Sequence, residues 1–176
     1  MKIIPIIIFL AYSSIMCAQT NDEIIIIKHG SQKYPIENAD APDYNIDKDI
    51  LAVKGYDLTE YYTHNRALRG SSKHQYQYKG VKFFFLNENN KSIFIANPEK
   101  YLPEYGGYCA DKMGAIFIGG TKPGKHDSNP EYFMIIDDKL YLFSYKSELY
   151  FKRWRENKKN NIEKADKTWE LMNHKN

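Results

Sequence analysis

Tyr76-Gln77-Tyr78-Lys79-Gly80-Val81-Lys82-Phe83-Phe84-Phe85-Leu86-Asn87 is the stretch that decides the fold. The aromatic residues Tyr76 and Tyr78 alternate, Lys79-Gly80 supplies the positive φ of a tight turn, and residues 81–86 return as an apolar strand, so the stretch predicts a β-hairpin. Asn87 follows as an N-cap with Glu88 in the first turn; Ile93, Phe94 and Ala96 give an apolar helical face until Asn97-Pro98 stops it. Downstream, residues 132–136 and 140–143 repeat the hairpin signal around Asp137-Asp138-Lys139. Residues 147–172 then carry Tyr150, Trp154, Ile162, Ala165, Trp169 and Met172 on one helical stripe. The expected class is α+β: an antiparallel sheet from two hairpins, packed against a short helix at 87–97 and a long C-terminal helix.

Upstream of this unit the character of the chain changes. Met1-Lys2, the apolar residues 3–10 and the small residue Ala18 have the layout of a secretory signal, with cleavage expected after residue 18. The run is too short, and too soon followed by Gln19-Thr20-Asn21-Asp22-Glu23, for a transmembrane anchor. Cys17 raises the alternative of a lipid anchor. Ser14-Ile15-Met16 lacks the leucine and the small residue of a lipoprotein signal, which favours plain cleavage. The protein is therefore expected to be exported, periplasmic or secreted. Residues 19–45 form an N-terminal extension in which residues 24–27 make either one short strand or an apolar patch against the domain, and residues 46–176 form the domain. A formal net charge of +3 is too weak to point to nucleic acid.

Export leaves one cysteine, Cys109, in Tyr105-Gly106-Gly107-Tyr108-Cys109-Ala110. A thiol after two glycines and before a short helix at Ala110-Asp111-Lys112-Met113 sits where backbone N–H groups favour thiolate. The alternative is a small buried hydrophobe beside a turn. Residues 113–124, rich in glycine, predict a long loop, either a lid or a bridge between two halves. His29, His64, His74, His126 and His174 show no ligand spacing; His126, with Asp127 placed to orient its ring, is the one that a loop can return to Cys109.

Several of these motifs, in this order, closely resemble the exported YHS domain-containing proteins. The resemblance is carried by Leu51-Ala52-Val53-Lys54-Gly55-Tyr56-Asp57, by the hairpin with Tyr78-Lys79-Gly80-Val81, by Asn97-Pro98-Glu99-Lys100-Tyr101 and by Gly106-Gly107-Tyr108-Cys109. It continues through Asp137-Asp138-Lys139-Leu140-Tyr141-Leu142 and Arg153-Trp154, covering about residues 46–172. Some members of that family carry selenocysteine in place of this cysteine, which implies a functional chalcogen at Cys109. Metal-binding members of the wider YHS and TRASH group have cysteines where this chain has Lys54, Leu86 and Asn90, so their thiolate site is absent here.

Two functions follow as expectations, with a third held beside them. In the first, a small-ligand, metal-ion or haem binding module uses Tyr105, Gly106, Gly107, Tyr108, Cys109, Lys54 and Tyr56, with Cys109 and His126 as the metal donors. In the second, Cys109 is the catalytic nucleophile of a thiol-dependent redox enzyme, with Lys54 lowering its pKa and an external thiol resolving it. The third is a structural or interaction domain with a buried, inert cysteine.

Overall fold

Residues 26–29, 32–35, 42–114, 122–145 and 147–173 are described by a computed structural model. The predicted signal at 1–18, Cys17 and the centre of the predicted loop at 113–124 lie outside these residues. The α+β class is as expected. In the N-terminal extension, β1 (Ile26–His29) pairs antiparallel with β2 (Gln32–Pro35).

Turn chemistry sets the two larger hairpins. β3 (Ser71–Tyr78) and β4 (Val81–Phe85) are joined by Lys79 and Gly80, both at positive φ, and β5 (Asn129–Ile136) and β6 (Lys139–Phe143) by Asp137 and Asp138, also at positive φ. Two left-handed residues match the twist of the flanking strands, so both turns close tightly. The hairpins remain separate two-stranded sheets, a correction to the single sheet expected from sequence. Their inner edges are already taken. Residues 50–52 lie along β4, with Ala52 N–H donating to Lys82 O at 3.0 Å and Lys82 N–H to Ile50 O at 2.9 Å. Pro103 and Cys109 bridge to Leu140 and Leu142 of β6.

Asp57 caps α1 (Leu58–His64) by accepting from Thr59 N–H at 2.9 Å, and Asn87 caps α2 (Glu88–Ala96) by accepting from Asn90 N–H at 2.8 Å. A single turn of helix, α3 (Pro98–Tyr101), follows, and α4 (Ala110–Met113) begins after Cys109. The C-terminal stripe is not one helix. It divides at Asn157 into α5 (Glu148–Glu156), capped by Ser147, and α6 (Lys158–Asn173). Trp154 is buried, as its place on the stripe predicts, whereas Tyr150 is 39% exposed because α5 turns it outward. Among the described residues no helix is long and apolar enough to cross a membrane.

β6 is the partition of the molecule. Leu140 and Leu142 point into one apolar cluster with Phe83, Phe85, Phe94 and Tyr61; Tyr141 and Phe143 point into another with Met113, Trp154, Ala165 and Met172. Alternation along a strand that is covered on both faces serves two cores at once.

Candidate functional site

Two left-handed turns build the site. Val53, Lys54 and Gly55 have φ of 49°, 51° and 76°, and Tyr105, Gly106 and Gly107 repeat the pattern at 54°, 61° and 86°. Each L-residue held this way costs roughly 1–2 kcal/mol, so surrounding contacts must over-determine it. They do. A Cβ on Gly107 would stand 3.5 Å from Val53 Cγ2, which packs one turn on the other. Asn45 ties the second turn down, its N–H donating to Gly106 O at 2.9 Å and its Nδ2 to Gly107 O at 3.3 Å and Asp127 Oδ1 at 2.9 Å. Ser128 Oγ donates to Gly107 O at 2.7 Å.

Cys109 leaves this turn with no solvent exposure. Its N–H donates to His126 O at 2.9 Å, and its sulfur accepts from Ser144 N–H at 3.3 Å. Burial pushes the thiol above its ordinary pKa; hydrogen bonds from Ser144 and the Lys112 backbone oppose the shift without reversing it, and the charge of Asp111 adds to it. Asp111 is itself raised by burial, against the hydrogen bond from Tyr145 Oη at 3.0 Å and the charge of Lys112.

On the far side of Ser144 and His126 lies a cleft of about 610 Å³. Lys54, Tyr56, Arg69, Lys112, Asp127 and Glu131 contribute its charged and hydroxyl groups. The size falls within the range of small-ligand sites, and the lining is unusually polar for one. Lys54 Nζ reaches Asp127 Oδ2 at 2.8 Å and Ser128 O at 2.7 Å. Burial pushes the Asp127 carboxyl up, but hydrogen bonds from Lys54 and Asn45, with the Lys54 charge, hold it below the usual carboxylate range. Tyr56 Oη donates to Glu131 Oε1 at 2.9 Å, and the Arg69 guanidinium lies 4.9 Å from the centre of the Tyr56 ring.

The residues named from sequence divide into three groups. Lys54, Tyr56 and His126 line this cleft. Tyr105 and Gly106 face a different hollow, near Tyr44 and Trp169. Tyr105 is buried with its hydroxyl on Asp166 Oδ1 at 2.9 Å, and Tyr108 donates to Pro42 O at 2.8 Å. Gly107 is enclosed in the turn, and Cys109 is buried behind Ser144, whose N–H its sulfur accepts. Asp127 pairs with Lys54 instead of orienting His126, whose Nε2 lies 3.0 Å from Lys122 O. Arg69, Lys112, Glu131 and Ser144 carry no motif and were not expected; isolated polar residues from four segments leave no local signal.

Among the described residues, the two donors named from sequence are not arranged to hold a metal ion. Cys109 is a buried sulfur already accepting an N–H, and His126 Nε2 lies 3.0 Å from Lys122 O. Among the described residues no group of three or more His, Cys, Asp or Glu side chains is placed to hold a metal ion. No protein-family model, curated protein or solved structure matches this chain.

Proposed function

We propose that this chain is an exported YHS-like domain that binds a small, polar, charged molecule in the cleft between Lys54 and Glu131. The observation that carries this reading is the cleft itself, whose walls hold charges of both signs. Cys109 then acts as an apolar anchor behind Ser144, and the strained turns position Lys54 and Gly107. Screening small charged metabolites by amide NMR on the purified protein is expected to move the signals of Lys112, Ser128 and Ser144 in a saturable way. Shifts confined to the hollow by Tyr44 and Trp169 would overturn the assignment.

The second reading is a redox enzyme with Cys109 as nucleophile. It draws support from the Ser144 N–H on the sulfur, a donor that stabilises thiolate. Burial opposes it. An iodoacetamide rate that already reaches its plateau below the free-thiol pKa of about 8.5 favours the enzyme, and a rate set by unfolding removes it.

A further inference from the structure

The charges in the cleft are not equivalent. Lys54 and Asp127 neutralise one another at 2.8 Å, and Asp127 also accepts from Asn45 and from Ser128 N–H, each at 2.9 Å. That pair satisfies its own charges. Arg69, Lys112 and Glu131 are different: among the described residues neither cation forms an ion pair with a carboxylate, and Glu131 forms none with a cation. Arg69 is nevertheless held in place, by Nη1 donating to Lys54 O at 3.1 Å and by its stacking on Tyr56. Glu131 is held at the hydroxyl of the same ring. Opposite charges are thus fixed around one phenol without touching each other, with Lys112 adding a second cation to the cleft.

From this arrangement we infer that the ligand is a small zwitterion of the amino-carboxylic acid class, its carboxylate on Arg69 and Lys112 and its ammonium on Glu131. The inference rests on the cleft being the ligand site. A simple anion would meet Glu131 as a like charge, and a simple cation would meet Arg69 and Lys112; a molecule carrying both charges satisfies all three. The fork of Arg69 suits a carboxylate, with two parallel N–H donors.

Amide NMR titration of the purified protein with L-alanine, acetate and methylammonium tests it. L-Alanine is expected to give saturable shifts at Lys112, Ser128 and Glu131 with a Kd at least tenfold below that of acetate or methylammonium. Glu131→Gln and Arg69→Gln are each expected to weaken L-alanine at least tenfold, while Arg69→Lys keeps part of the affinity. Thermal midpoints are measured on every variant, so that a loss of binding is scored only on folded protein. Acetate binding as tightly as L-alanine, with Glu131→Gln neutral or favourable, would overturn the zwitterion and leave a small-ligand cleft standing. Saturable shifts from none of the three probes would overturn both.

Discussion

Gly106 is the residue on which the second left-handed turn depends. A Cβ built there would lie 1.7 Å from Asp43 O, a backbone atom that cannot move aside without releasing Asn45. Gly106→Ala is expected to lower stability by roughly 3 kcal/mol, read as a lower urea midpoint at unchanged slope. The pair Gly106-Gly107 was legible as a turn because glycine is the residue that takes positive φ without strain. Val53, Lys54 and Tyr105 were not, since nothing in a valine, a lysine or a tyrosine announces a left-handed backbone. The burial of Cys109 was equally hidden. Its local sequence suits a reactive thiol, and only the approach of Ser144 and His126, 35 and 17 residues away, closes it off.

At the level of elements, α1 and α2 are locked by a buried polar cluster. Asp57 Oδ2 accepts from Leu86 N–H at 2.8 Å and from Asn90 Nδ2 at 2.7 Å; Asn90 Nδ2 also reaches Glu60 Oε1 at 3.0 Å. Burial pushes the Glu60 carboxyl up, but the hydrogen bonds from Asn90 and Arg66, with the charges of His64 and Arg66, overcome it and hold the group below its ordinary pKa. A depressed acid contributes stability above its unfolded value, about 4.3, and loses that contribution as pH falls through the lower folded value. Glu60→Gln should therefore cost about 1–2 kcal/mol at neutral pH and flatten the loss of stability below pH 4, as followed by chemical denaturation across pH. An acid limb unchanged from the parent protein would show that Glu60 contributes nothing to it. The caps of these helices were readable, because Asp57 and Asn87 bond to their own first turns. The division at Asn157 was not, because the residues on either side continue the apolar stripe while the backbone does not.

For the whole molecule, the decisive feature is that both apolar clusters share β6. Leu142, fully buried, sits on one face of the strand and is flanked by Tyr141 and Phe143 on the other. Leu142→Ala is expected to cost about 3 kcal/mol and to shift a single calorimetric transition downward, because neither cluster can lose this strand alone. Two resolved transitions would show that the halves unfold independently. Both hairpins and the final helical region were legible from alternation and turn residues. Their mutual arrangement was not, since it depends on irregular segments at 50–52, 103 and 109 that occupy the strand edges and carry no strand pattern of their own. The cleft was hidden for the same reason: Arg69, Lys112 and Glu131 meet only after the hairpins have been placed.

Handedness gives the paired turns a consequence for how this chain can drift through evolution. Over six positions the backbone follows the mirror image of its usual path. Every single-base change of a glycine codon that yields another amino acid adds a Cβ, so Gly55, Gly106 and Gly107 have almost no neutral neighbours. Val53, Lys54 and Tyr105 stand on the other side of the same rule: a change to glycine or asparagine would relax their backbone. These positions hold their side chains against a conformational cost: Val53 packs one turn on the other, Lys54 reaches Asp127, and Tyr105 reaches Asp166 of α6.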